Sequence, residues 1–486
     1  MERRMTPIMG WTSWNCFRTD IDEEKILNEA RLLKESGLAA HGYEFFNIDD
    51  GYFGGRGKNG RLCYHKRRFP HGIKVIADYA HGLGLKAGCY SEAGDNTCGY
   101  YYDNEDTNGL GSGLYGHEES DLHQLLLEDD FDFIKVDWCG GLRLGLDEET
   151  QYTKIGNIIR DIEKKKGKPI VYNVCRWEFP GEWVVNVADS WRAGVDIAPD
   201  FESVIYQIDQ MKALKKFSGP GHVNDCDMMQ IGNGMTYNED MVHFAMWCML
   251  SAPLMISSDL SLLKKEIYDI LTNDELIAID QDALCKQGYV VKEYKDESGS
   301  LAAELWIKEL ENNSRAAALL NRSDRPLKLD FTMDEIGASR VTHVRNLING
   351  EDLPANDNMT FTVEGHSIVV LRVSADAFKE CRDVNENKAY SVSNAPHISL
   401  EKATELTLKG DARLIDVRNE SEYDSGHYEH AINIPYQVLY LEHEELIPDK
   451  HECLIFYCAT GKRAYMLEEH LKWLGYKNLY LTDSYY

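Results

Sequence analysis

To about residue 280 the chain alternates short apolar runs with amphipathic stretches. Eight runs read as strands: Ile8–Asn15, Tyr43–Asp50, Leu85–Ser91, Phe131–Trp138, Ile170–Cys175, Ser190–Val195, His222–Met229 and Leu254–Leu260. Between most of them apolar residues fall at helical spacing. In Glu23–Ser36, for example, Ile26, Leu27, Ala30 and Leu33 share one face, and Gly72–His81 is similar. Eight β/α repeats over about 250 residues predict a closed (β/α)8 barrel of parallel strands. A doubly wound open sheet competes, but no glycine-rich dinucleotide turn follows the first strand.

The period changes near Leu284. Strands at Gly288–Tyr294, Leu301–Ile307, Arg315–Asn321, Arg340–Asn346, Met359–Thr362 and Ser367–Val373 alternate with turn formers such as Asp296-Glu297-Ser298-Gly299. That pattern predicts a small antiparallel β-sandwich. Lys379–Pro396 is polar and without period, as in a linker. Beyond it come strands at Leu414–Asp416, Leu454–Tyr457 and Asn478–Leu481, with a helix from Gly461 to about Trp473. The expected organisation is a barrel over 1–283, a sandwich over 284–375, a linker over 376–396 and a small α/β domain over 397–486.

Charge narrows the partners. Against 52 Lys and Arg stand 81 Asp and Glu, a formal net charge of -29 in 486 residues. Nucleic acid and anionic membrane both need a basic footprint, so neither is expected as a partner. The N-terminus shows no apolar signal region, and the most apolar run, Phe244 to Ile256, is too short for a membrane helix and is broken by Pro253. Twelve cysteines in so long a chain, none with zinc-ribbon spacing, suggest mostly reduced thiols and a cytoplasmic protein. Homo-oligomerisation stays open.

Functional groups of a β/α barrel gather at the C-terminal ends of its strands. Here those ends carry Trp11 and Trp14, Asp49 and Asp50, Tyr90 and Glu92, Lys135 and Asp137, Cys175 and Trp177, Arg192 and Asp196, Asp225 and Asp227, and Asp259. No histidine cluster accompanies them, so no transition-metal site is expected. Carboxylates beside indole rings suit a carbohydrate, and a carboxylate pair is what glycoside cleavage uses. Asp137 ends an apolar strand with Lys135 on the same face, which fits a nucleophile. Asp196 follows Arg192 on a loop, which fits an acid and base. Helix N-capping is the competing use of either Asp, and Mg²⁺ or Ca²⁺ binding a further use of so many acids.

Several ordered motifs resemble the α-galactosidases of glycoside hydrolase family 27. They include Met9-Gly10-Trp11-Thr12-Ser13-Trp14-Asn15, Ile48-Asp49-Asp50-Gly51-Tyr52, Lys86-Ala87-Gly88-Cys89-Tyr90-Ser91, Lys135-Val136-Asp137-Trp138-Cys139, Trp191-Arg192 with Asp196, and Asn224-Asp225-Cys226-Asp227-Met228. The resemblance runs from Met9 to about Val373 and implies a retaining double displacement. Asp137 would be the nucleophile and Asp196 the acid/base. Asp49 and Asp50 would bind O6 and O4, Lys135 O3, and Arg192 O2. Trp14 would wall the sugar, with Tyr90, Met228, Cys175 and Trp177 in the substrate-binding set. The family needs no metal or organic cofactor. Cys98 and Cys139 match a pair bonded in secreted relatives, with packed thiols as the alternative.

One departure stands out. Family α-galactosidases carry Cys-Glu-Trp after the fifth strand, where this chain has Cys175-Arg176-Trp177-Glu178-Phe179. Arg176 would meet a neighbouring group of the substrate or pair with Glu178. The expected activity is an exo-α-galactosidase acting on an α-galactoside-containing substrate. An α-N-acetylgalactosaminidase or a β-L-arabinopyranosidase is the alternative within the family, and a non-catalytic sugar-binding protein the alternative from another class.

Residues 397–486 resemble a rhodanese domain through Leu414-Ile415-Asp416-Val417-Arg418, Ala431-Ile432-Asn433-Ile434-Pro435 and the loop Cys458-Ala459-Thr460-Gly461-Lys462-Arg463-Ala464. A cysteine between a strand end and a helix N-terminus faces N–H groups and a helix dipole, which favour a thiolate. Cys458 is the candidate nucleophile, with Lys462 and Arg463 adding positive potential. Both a sulfur donor and a protein partner stay open for this module.

Overall fold

The computed structural model describes residues 4–103, 108–386, 397–458 and 462–482. The first three residues, the later part of the expected linker, Ala459, Thr460 and Gly461 of the cysteine motif, and the chain from Asp483 lie outside the described residues. Two compact units divide near residue 388.

In the first unit eight parallel strands are joined in the order β8-β1-β2-β3-β4-β5-β6-β7. They are β1 (Met9–Thr12), β2 (Phe45–Asn47), β3 (Lys86–Glu92), β4 (Phe133–Asp137), β5 (Val171–Val174), β6 (Ser190–Arg192), β7 (Val223–Asp225) and β8 (Leu254–Ile256). Met229 closes the barrel between β7 and β8: its N–H donates to Met255 O at 2.7 Å and its carbonyl accepts from Ser257 at 3.1 Å. Most strands stop short of the apolar runs that announced them, because the run ends turn into loops; the second carries Asp49 and Asp50 to the barrel mouth, and Asp196 comes just after the sixth. At the other end Ile8, Phe45, Phe133 and Met255 pack as an apolar floor. Helix Glu23–Glu35 shows the local logic. Asp22 caps it by accepting from Lys25 N, and Ile26, Ala30 and Leu33 are buried while Leu27 is only half-buried.

The sandwich has eight strands: β9 (Tyr289–Lys295), β10 (Leu301–Leu310), β11 (Ser314–Asn321), β12 (Leu327–Thr332), β13 (Ala338–Asn346), β14 (Glu351–Leu353), β15 (Asn358–Val363) and β16 (Ser367–Phe378). A six-stranded sheet, β9-β10-β11-β16-β13-β14, faces the pair β12-β15, all antiparallel. β12 and β14 went unpredicted. β12 does alternate, with Leu329 and Phe331 inward, but it is short and Pro326 before it reads as a turn. β16 runs five residues past the predicted end, and Val384 N donates to Val290 O, so the chain stays on the sandwich beyond it.

The apolar run from Phe244 divides into helix Tyr237–Leu250, buried along most of its length, and β8. Lys308 of β10 donates to Cys248 O at 2.6 Å and Ser251 Oγ at 2.7 Å, satisfying the C-terminal end of that helix. Arg322 grips Asp209 through both terminal nitrogens, at 2.8 and 2.6 Å. Among the described residues no helix is long and apolar enough to cross a membrane.

The second unit is a four-stranded parallel sheet, β18-β17-β19-β20, with β17 (Arg413–Asp416), β18 (Ile432–Asn433), β19 (Cys453–Tyr457) and β20 (Asn478–Leu481). Only β18 was not predicted. Helix Lys462–Trp473 lies between β19 and β20.

Candidate active site

Lys135 and Asp137 are two residues apart on β4, so both side chains point to one face. Lys135 Nζ is 3.0 Å from Asp49 Oδ2 and 3.6 Å from Asp137 Oδ2. Burial opposes its charge, but the two carboxylates outweigh burial and hold the pKa well above the lysine range. Burial pushes Asp137 up, Lys135 pulls it down, and the result is about 6. A hydrogen bond with Cys175 also favours the carboxylate. Asp137 Oδ1 is buried and has no hydrogen-bond partner among the described residues.

Asp50 is held from the loop after β3. Gly99 N donates to its Oδ2 at 2.7 Å, Gly51 N to its Oδ1 at 2.8 Å, and Thr97 adds a side-chain hydrogen bond. Burial nevertheless raises it to about 7. Tyr90 Oη accepts from Cys98 N at 3.1 Å. The same loop is tied to the turn after Asp137 by the Cys98–Cys139 disulfide; among the described residues the other ten cysteines are free. Beneath that bond the Glu92 carboxylate accepts from Gly94, Cys139 and Gly141 N–H groups at 2.9, 2.9 and 3.2 Å. Glu92 thus takes the helix-capping work considered for Asp137. The helix after β6 is capped by Asp200 and not by Asp196.

Arg192 is nearly inaccessible. Its Nη2 donates to Asp196 Oδ1 at 3.1 Å and lies 2.9 Å from Asp227 Oδ2, while Nη1 is 3.7 Å from Cys175 Sγ. Asp196 is half exposed, at 52% of its side chain. Burial raises Asp227 above the usual carboxylate range against the pull of Arg192. Met228 lines a narrow cavity with Asp49, Lys135, Arg192, Asp225 and Asp227. Trp14 is buried, with Arg18 and Lys135 over its ring at 5.1 and 6.0 Å.

Arg176 pairs with two acids of the protein. It is buried, bonds Glu148 through Nε and lies 3.7 Å from Glu178. Its guanidinium covers Trp177 at 5.7 Å, and Trp177 adopts a φ of 57°, an outlier for a bulky residue. Phe179 stacks on Phe217 at 4.5 Å. Cys226 is buried, and Cys16 is half-buried with its thiol 3.4 Å from Ser13 O. Asp259 bonds Ser261 in a turn. A wider cavity of about 660 Å³ opens at the strand starts, away from these carboxylates. The one group of three close metal-type donors among the described residues is Glu92, Cys98 and Cys139, and its sulfurs are bonded to each other.

In the second unit Cys458 follows β19 and is buried. Arg463 donates to both oxygens of Glu422 at 2.7 Å and also hydrogen-bonds Cys458, so its charge is shared between a carboxylate and the sulfur.

Every barrel residue singled out for the site lies on a strand end or on the loop that follows it. Asp227, Glu92 and Gly99 were not singled out. Asp227 and Glu92 were visible as acids at strand ends, but their partners come from other loops. Gly99 carried no sequence signal.

The family model described as Alpha galactosidase A matches residues 6–282, that of the Alpha galactosidase C-terminal beta sandwich domain matches 302–373, and that of the Rhodanese-like domain matches 399–484. Alpha-galactosidase A of Cellvibrio japonicus is 36% identical over 394 residues, covering 76% of this chain and 92% of that protein. A probable alpha-galactosidase of Dictyostelium discoideum is 36% identical over 348 residues, covering 71% and 85%. The crystal structure of alpha-galactosidase I from Mortierella vinacea superposes with a TM-score of 0.69 at 28% identity, covering 77% of this chain and 98% of that one.

Proposed function

The chain belongs to the alpha galactosidase A family of glycoside hydrolases, and from that premise we propose that it removes terminal α-D-galactosyl residues by a retaining double displacement. Asp137 attacks the anomeric carbon while Asp196 protonates the departing oxygen. Water, deprotonated by Asp196, then releases the sugar from Asp137. Asp49 and Asp50 accept hydrogen bonds from O6 and O4, and Lys135 and Arg192 meet O3 and O2. The observation that carries the reading is the buried Asp137 carboxylate, its Oδ2 3.6 Å from Lys135 Nζ and its Oδ1 without a hydrogen-bond partner among the described residues. Asp49, which the family resemblance places at O6, favours a sugar that carries that hydroxyl.

The test is turnover of a chromogenic α-galactoside beside the matching α-N-acetylgalactosaminide and β-L-arabinopyranoside. Turnover of the galactoside alone, abolished in Asp137→Ala, supports the proposal. No turnover of any of the three, or equal turnover by Asp137→Ala, overturns it.

For the terminal module we infer sulfur transfer through Cys458. The thiolate takes the outer sulfur of thiosulfate, releasing sulfite, and passes it from the persulfide to cyanide as thiocyanate. Its place after β19 and the contact with Arg463 support this. Transfer that survives Cys458→Ser would refute it.

A further inference from the structure

We propose that Asp227 is a positioning residue for proton transfer: it holds Arg192 and the backbone beside Asp196 in the geometry from which Asp196 protonates the departing oxygen. This rests on the reading of Asp196 as acid and base.

Asp196 needs such help. It is half exposed on a loop, and Arg192 is its one hydrogen-bond partner among the described residues. Two of the routes that fix it lead to Asp227. Asp227 Oδ2 lies 2.9 Å from the same Nη2 of Arg192 that binds Asp196, and it accepts from Ile197 N, the next residue after Asp196, at 2.8 Å. Arg192 Nη2 also reaches the Gly194 and Val195 carbonyls at 3.1 and 2.8 Å, so arginine and loop are bound as one piece.

Asp227 is itself held on every side. Its N–H donates to Asp225 Oδ1 at 2.9 Å, its Oδ1 accepts from Met228 N at 2.8 Å, and its carbonyl accepts from Trp247 Nε1 at 2.8 Å. It keeps a φ of 81°, uncommon outside glycine, which persists where the surroundings over-determine the backbone. It acts through Arg192 and the loop, the groups its Oδ2 binds.

Leaving groups separate positioning from plain structural support. An alkyl or sugar aglycone needs protonation to depart, whereas a dinitrophenolate does not. Asp227→Asn suits the test because asparagine tolerates the left-handed backbone. We expect kcat/KM to fall about 100-fold on an alkyl α-galactoside and less than about threefold on the dinitrophenyl substrate. Equal losses on both, or no loss on either, overturn the proposal. Asp196→Ala is the benchmark. If it fails to discriminate between the substrates, the acid–base reading falls and this proposal with it. If it discriminates and Asp227→Asn does not, the proposal falls alone. Near-UV circular dichroism checks folding, and Asp227→Glu in the same two assays replaces an asparagine variant that does not fold.

Discussion

Lys135 Nζ stands 3.6 Å from Asp137 Oδ2 and 3.0 Å from Asp49 Oδ2, so one ammonium serves two carboxylates in a nearly closed space. Burial pushes the Asp137 carboxyl up, Lys135 draws it back, and it settles at about 6. A nucleophile must be anionic, so activity is lost as pH falls through that value. Replacing Lys135 by Met removes the counter-charge and moves the acid limb of kcat/KM above pH 6. A limb that stays in place would refute Lys135 as the group that keeps Asp137 ionised.

Gly99 sets how closely the loop after β3 approaches Asp50. A Cβ there would lie 2.8 Å from Asp50 Oδ2 and 2.6 Å from Thr19 Cγ2, so Gly99→Ala displaces the N–H that holds the carboxylate. Hydrogen bonds to a charged group contribute about 1.5–3 kcal/mol, so kcat/KM should fall roughly 10- to 100-fold, chiefly through KM. Steady-state kinetics with an unchanged KM would count against this.

The Cys98–Cys139 bond closes a loop with a sequence separation of 41. Replacing both cysteines by Ser should cost about 2–4 kcal/mol, since the cross-link restricts the unfolded chain. Urea unfolding of variant and oxidised wild type measures the difference, and coincident curves would contradict it.

His243 is fully buried against Trp247 at 4.1 Å, and neither ring nitrogen has a hydrogen-bond partner among the described residues. Burial lowers its pKa from 6.5 to about 3. Between these values the unfolded chain binds the proton and the folded chain does not, so this group removes stability as pH falls from 6.5 towards 3. Glu29, Asp240 and Asp280, each raised to about 7 chiefly by burial, act in the opposite sense: their contribution weakens as pH rises towards 7. Comparison with His243→Leu isolates the histidine. The wild type should lose up to about 4 kcal/mol relative to the variant by pH 3. Parallel acid-unfolding curves would disprove it.

Much of this was readable along the chain because the information is local. Lys135 and Asp137 share a face through strand geometry alone, and the apolar runs mark the barrel strands before any contact is known. Arg176 shows the limit. Its neighbour Glu178 was foreseeable as a partner, but Glu148, on the helix before β5, was not. Asp227 is the same case, since its service to Arg192 and Ile197 joins the loops after β6 and β7.

The sequence by itself therefore determined the repeat that makes a barrel, the change of period that makes a sandwich, and the acids and rings at the strand ends. Backbone geometry converts spacing into direction within a few residues. The tertiary structure alone decided which charges meet: Asp49 with Lys135, Asp227 with Arg192, Glu148 with Arg176, and Arg463 with Glu422. It also decided which acids burial raises, from Asp137 at about 6 to Asp50 at about 7. Pairing and desolvation depend on loops that meet only when the barrel closes, and no spacing along the chain encodes that closure.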